Sequence, residues 1–124
     1  MRKILKCILL LTIIGLSGCW QKDVGRSYYD SGKVRTEASV KNGLLDGPSA
    51  MYYESGSKMS IANYRAGLLD GKTTSFYENG ANKAEAEYKD GVLNGTSYNW
   101  REDGTVVSRS IFINGVLQNE KRND

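Results

Sequence analysis

Two identical pentapeptides, Gly43-Leu44-Leu45-Asp46-Gly47 and Gly67-Leu68-Leu69-Asp70-Gly71, each set a carboxylate between glycines. A carboxylate held on a glycine loop is a candidate ligand-binding or proton-transfer group. Glu85 and Glu87, two residues apart, share one face of an extended strand and form a second candidate pair. Neither has an obvious chemical partner. The chain has no His, which removes the commonest general base and metal ligand. Its Gly-x-x-x-Gly stretches lack the Lys-Ser/Thr and the following helix of a phosphate-binding loop. Asp46 and Asp70 hold the same place in a repeated pattern, where Asn94 and Gln118 stand later in the chain. A turn-stabilising role accounts for that interchange better than catalysis. Glu85 and Glu87 share their face with Lys83 and Lys89, as on a solvated polar surface. These residues imply no catalytic site, no metal, no cofactor and no small-molecule substrate, so the chain is not expected to be an enzyme.

The two cysteines, Cys7 and Cys19, belong to a different segment. Arg2, Lys3 and Lys6 precede an apolar run from Cys7 to Leu16, followed by Ser17, Gly18 and Cys19. That order is a secretory signal peptide, with an apolar run shorter than the about 20 residues of a comfortable membrane span. Leu16-Ser17-Gly18-Cys19 also resembles the bacterial lipobox, which implies cleavage after residue 18 and acylation of Cys19. At about 0.8 kcal/mol per buried methylene, several acyl chains make a stable anchor. No Cys then remains for a disulfide or a thiolate metal site. Of the 17 Lys and Arg, three leave with the signal, and the other 14 equal the 14 Asp and Glu. A neutral mature chain gives no case for nucleic acid. The expected location is the cell envelope, with the membrane held through lipid on Cys19. Trp20, in place of an inner-membrane retention Asp, favours the outer membrane in a Gram-negative cell.

What positions these residues is a 24-residue repeat. Gly32, Gly56, Gly80 and Gly104 form one column, and Gly43, Gly67, Gly91 and Gly115 a second. Gly47, Gly71 and Gly95 form a third, continued by Asn119. Ahead of the first column run Tyr28, Tyr52, Phe76 and Trp100, then Tyr29, Tyr53, Tyr77 and Arg101. An acid and then Ser, Asn or Asp before Gly is turn chemistry. After this turn, Thr36, Ala38 and Val40 alternate with charged residues, as do Ser60, Ala62 and Tyr64 and their equivalents. Period two with one small-or-aromatic face and one charged face predicts a half-buried antiparallel strand. A second, glycine-bracketed loop over 42–47 and its equivalents then joins one hairpin to the next. Pro48 is expected at a strand start, where a missing donor is tolerated. In repeat four, Arg109, Ile111 and Ile113 put apolar residues on the usually polar side.

The fold class expected is therefore all-β: an elongated, single-layer array of about four antiparallel hairpins, roughly 40 Å of sheet at about 4.8 Å per strand. A helical signal peptide over 1–18 precedes it, with a lipidated tether over 19–25. The repeat domain spans 26–119, in units 26–47, 48–71, 72–95 and 96–119, and a polar tail covers 120–124.

Tyr52-Tyr53-Glu54-Ser55-Gly56 with Tyr64-Arg65-Ala66-Gly67-Leu68-Leu69-Asp70-Gly71, and Phe76-Tyr77-Glu78-Asn79-Gly80 with Tyr88-Lys89-Asp90-Gly91-Val92-Leu93-Asn94-Gly95, resemble the variant form of the MORN repeat. The resemblance covers residues 26 to 119 and implies an extended β-hairpin array that holds partner proteins, with phospholipid binding proposed for some relatives. Similar proteins are often labelled antitoxins of the YwqK-like family. Arg101 and Asn119 depart from the pattern and mark the fourth repeat as degenerate.

Two aromatic columns are the candidate partner-binding residues: Tyr28, Tyr52, Phe76 and Trp100, and beside them Tyr29, Tyr53 and Tyr77. The first column either covers the ladder of small residues as a core, or forms an exposed recognition strip, since a single sheet cannot bury both faces. The second points to the opposite face and is an equal candidate. The function expected is a membrane-anchored protein-binding scaffold, or alternatively an antitoxin or immunity-like protein acting at the envelope.

Overall fold

The computed structural model describes residues 23–123. The signal peptide and Cys19 lie outside the described residues. Within them the chain forms β1 (Asp23–Tyr28), β2 (Val34–Lys41), β3 (Leu44–Tyr52), β4 (Lys58–Arg65), β5 (Leu68–Leu69), β6 (Gly71–Phe76), β7 (Asn82–Lys89), β8 (Val92–Trp100), β9 (Val106–Ile113) and β10 (Val116–Arg122). All belong to one antiparallel sheet in the order β1-β2-β3-β4-β6-β7-β8-β9-β10, with β5 also paired to β4. The expected open array of hairpins is therefore present. β5 and β6 are the two halves of the strand that is continuous as β3 and β8 in the neighbouring repeats.

Two kinds of turn alternate along the two rims of the sheet. At the first, the amides of Gly32, Gly56, Gly80 and Gly104 donate to the carbonyls of Tyr29, Tyr53, Tyr77 and Arg101. Asn79 and Asp103 close it further, their Oδ1 atoms accepting from the amides of Ala81 and Thr105. Where the strands enter this turn, Tyr28, Tyr52, Phe76 and Trp100 each sit at a register shift against the next strand. One aromatic thus opposes two residues, as at a β-bulge, and the local twist tightens.

The second turn corrects the expected six-residue loop. Lys41 pairs with Leu44, Arg65 with Leu68, Lys89 with Val92 and Ile113 with Val116. Only two residues separate each pair, and both have positive φ, as at Asn42 (52°) and Gly43 (77°). Positive φ at both central positions is a type I′ turn, whose twist matches that of the flanking strands. Leu44 and Leu45 are therefore strand residues, and Asp46-Gly47 belong to a bulge opposite Ser39, between the pairs Ala38–Ser49 and Val40–Leu45. Pro48 lies within β3 at this bulge rather than at a strand start, so its missing donor falls where the ladder with β2 is interrupted. The glycines of this bulge also need their mirror-image conformation. At Gly95 (φ 132°) a methyl group would in addition run into the Glu87 side chain.

The domain limits also shift. β1 starts at Asp23, inside the expected tether, because Asp23, Val24 and Gly25 find antiparallel partners in Val40, Ser39 and Ala38. β10 runs to Arg122 through most of the expected tail, with Glu120, Lys121 and Arg122 paired to Ser110, Arg109 and Ser108.

No apolar side chain is buried among the described residues; the buried residues are Thr74, Ser108 and Ser110. A one-layer sheet has nothing to pack against, so cohesion comes from strand pairing and from contacts between successive repeats.

Candidate interaction surface

Strand alternation gives the sheet two unlike faces. On one, the partner series Thr36, Met51, Ser60, Ser75, Ala84, Asn99 and Ser108 runs across the strands, next to Ala38, Ser49 and Ala62. The other carries Arg26, Glu37, Ala50, Ile61, Thr74, Glu85, Tyr98 and Arg109 in register. Tyr28, Tyr52, Phe76 and Trp100 follow Arg26, Ala50, Thr74 and Tyr98 by two residues and share this second face. They do not cover the small-residue ladder, which corrects the core reading of that column.

On the charged face, Tyr52 lines a shallow hollow with Val24, Glu37, Pro48, Ile61 and Asn63. Tyr28 is 56% exposed beside it. At the other end Trp100 stacks on Tyr98, with ring centroids 5.4 Å apart. Arg109 lies 5.9 Å over the Tyr98 ring, and its Nε donates to the Tyr98 hydroxyl at 3.1 Å. Between them Lys72 pairs with Glu85 at 2.8 Å, and beside the hollow Arg26 pairs with Glu37 at 3.2 Å. The Glu85 hydrogen bond raises the Lys72 ammonium above its ordinary value, and the Glu37 hydrogen bond does the same for the Arg26 guanidinium. Such exposed pairs contribute little to stability, but they fix a pattern of charge around the aromatics. Lys83, two residues before Glu85 in β7, also lies 5.6 Å over the Tyr77 ring.

The second aromatic column has a different use. Tyr29, Tyr53 and Tyr77 donate their hydroxyls to the backbone carbonyls of Tyr52, Phe76 and Trp100, each one repeat further on, at 2.6, 2.8 and 2.9 Å. These tyrosines tie repeat to repeat, and their hydroxyls are engaged within the array. Arg101, which has no hydroxyl, stands in this column in the fourth repeat.

The carboxylates of the paired pentapeptides form a third ladder. The side chains of Asp46, Asp70 and Asn94 accept from the amides of Ala66, Asp90 and Asn114, each 20 residues ahead, at 3.2, 3.2 and 3.1 Å. Only an acceptor oxygen is needed, which explains why Asn substitutes for Asp. Arg65 adds bonds to Asp70 at 2.7 Å and Asp90 at 3.0 Å, and the Asp90 hydrogen bond is the main influence that raises its guanidinium. Gln118, in the fourth copy, turns back to the Val116 carbonyl. The anchored amides belong to the left-handed residues of the I′ turns. Asn42-Gly43, Asp90-Gly91 and Asn114-Gly115 were the sequence signal for these turns, masked by the more conspicuous spacing of the glycines.

Among the described residues, no group of three or more His, Cys, Asp or Glu is placed to hold a metal ion. The sequence pattern of a family described as MORN repeat variant matches residues 24–42, 45–66 and 69–90, just over half of the chain. Each matched unit is one hairpin around the first kind of turn, and the I′ turns lie at or next to the junctions. No curated protein matches the chain. Among solved structures it is similar to part of accessory secretory protein 1, 2 and 3 of Streptococcus pneumoniae, at 16% identity and a TM-score of 0.43, covering 75% of this chain and 18% of that one. It is also similar to part of the GtfA/B complex bound to UDP and GlcNAc, at 12% identity and 0.48, covering 88% and 25%. The chain spans a quarter or less of either.

Proposed function

We propose, from the premise that this chain belongs to the MORN repeat variant family, whose repeats are commonly protein- or membrane-binding modules, that it is a non-catalytic, lipid-anchored protein of the cell envelope whose charged, aromatic sheet face holds another protein. The observation that carries the reading is the division of labour between the aromatic columns. Tyr29, Tyr53 and Tyr77 spend their hydroxyls on the array, whereas Tyr28, Tyr52 and Trp100 stand among Arg26, Glu37 and Arg109 on the face without the small-residue ladder. Aromatic and Arg side chains are the usual anchors of protein interfaces. The carboxylates that first suggested chemistry act as acceptors for turn amides, which supports a scaffold over an enzyme.

The test is capture of partners from envelope extract by the full protein, a Tyr52→Ala plus Trp100→Ala variant, and Tyr53→Phe. The reading expects the double variant to lose its partner and Tyr53→Phe to keep it; identical capture by all three would sink it. A toxic effector among the captured proteins would turn the scaffold into the antitoxin alternative. Anchoring is tested separately, by release of a Cys19→Ala variant from the membrane fraction.

A further inference from the structure

The rim that carries the I′ turns is unlike the rest of the surface. Leu44, Leu68, Val92 and Val116 follow these turns, one per repeat, and are 50, 50, 44 and 62% exposed. Ile113 and Leu117 join them at 54 and 50%. Six of the ten large apolar side chains that are exposed among the described residues thus lie along this one rim. Successive members are two strands apart, so the row from Leu44 to Val116 is about 29 Å long at about 4.8 Å per strand. Rows of this kind on a soluble surface mark a contact. The opposite rim, formed by the first kind of turn, presents the exposed acids Asp30, Glu54, Glu78 and Glu102 beside the exposed bases Lys33, Lys58, Lys83 and Arg101, one of each per repeat.

The course of the chain says what covers the apolar rim. Asp23 begins β1 opposite Val40, two residues from the Asn42-Gly43 turn. The chain therefore enters the sheet at the I′ rim, and Asp23 follows Cys19 by four positions. A step of four positions reaches at most about 14 Å. On the reading that Cys19 carries the lipid, on which this inference rests, the anchor cannot lie far from this rim.

We propose that the I′ rim rests on the lipid bilayer, with Leu44, Leu68, Val92 and Val116 in the headgroup–acyl boundary and the opposite, charged rim turned away from it. Leu and Val side chains at this depth gain burial that they lack in water, whereas the opposite rim presents charged side chains of both signs and no comparable apolar row. Lys41, Arg65 and Lys89 beside the row are matched in number by Asp46, Asp70 and Asp90. The contact is therefore apolar in character and insensitive to salt. It leaves both broad faces of the sheet, including the aromatic one, open to the periphery.

The test places a single cysteine at Val116→Cys or Leu44→Cys on the I′ rim, or at Glu78→Cys on the other, in the lipid-anchored protein. Each carries an environment-sensitive fluorophore, in vesicles of phosphatidylethanolamine and phosphatidylglycerol doped with a nitroxide lipid. Blue-shifted emission with strong nitroxide quenching is expected at positions 44 and 116 and not at 78, unchanged in high salt. Water-like emission at both rims, or equal quenching at both, would overturn the orientation. A blue shift that grows with protein density without lipid quenching means a second copy covers the row, and also overturns it. The protein with no added cysteine is the control for the premise: label taken up by Cys19 means the anchor is absent, whichever way the rim faces.

Discussion

Ala66 occupies a conformation that its side chain does not favour. Its φ of 48° places it in the left-handed region, where Asn42, Asp90 and Asn114 stand in the other I′ turns. A Cβ there costs roughly 1–2 kcal/mol, and the short polar side chains of Asn and Asp offset part of this by local hydrogen bonds. Ala66→Asn keeps the backbone amide that donates to Asp46 and should stabilise the protein by about 1 kcal/mol. An unchanged or lower urea midpoint would refute that. Asp103 shows how a single turn responds to pH. Hydrogen bonds from the Thr105 hydroxyl and amide hold its carboxyl below the ordinary value. Its contribution is therefore present above the ordinary carboxylate range of about 4 and is lost as pH falls through the lowered folded value. Asp103→Asn keeps an oxygen for the Thr105 amide, as Asn79 does for Ala81, and removes the titration. Thermal melts at neutral and strongly acidic pH should differ less in the variant than in the parent protein.

At the scale of the elements, stability resides in rungs that link equivalent positions of successive repeats. The tyrosine hydroxyls form one set and the Asp and Asn side chains another. The amides of Gly67, Gly91 and Gly115 form a third, donating to the carbonyls of Leu45, Leu69 and Leu93 at 2.8, 2.7 and 2.7 Å. Tyr53→Phe removes one rung without changing shape, and should cost about 1 kcal/mol while leaving the β-sheet circular dichroism intact. A variant as stable as the parent would mean that the rung contributes nothing. Much of this architecture was legible in the sequence, because a period of 24 with glycines in fixed columns admits few structures. The rungs were not. Each has a backbone amide or carbonyl on at least one side, 20 to 23 residues away, and such groups carry no residue identity. The paired leucines misled for a related reason: flanking glycines suggest a loop, whereas Leu44 and Leu45 pair with Lys41 and Val40 as strand residues. The aromatic columns were found, but their faces depended on bulges that spacing alone does not reveal.

For the whole molecule, the absence of a buried apolar core among the described residues means that no central cluster holds distant repeats together. Each hairpin contacts its neighbours in the sheet, so stability should be close to a sum of repeat and junction contributions. Removing residues 48–71 takes out one full period and joins Gly47 to Lys72, the residue that follows Gly71 in its own repeat. Asp46 then has the Asp90 amide within its ladder, and Tyr29 has the Phe76 carbonyl, as their equivalents do now. The shortened chain should fold to the same β-sheet spectrum per residue and melt cooperatively at a lower temperature. The same deletion made one residue shorter keeps almost the same composition and more chain, yet shifts the parity of every later strand. It would send Ala84 and Ala86 to the charged face and Glu85 to the small-residue face, because side chains alternate with period two. That variant should be markedly less stable than the in-register deletion. If the two melt alike, register between repeats is not what holds the array, and the rungs are incidental to the fold.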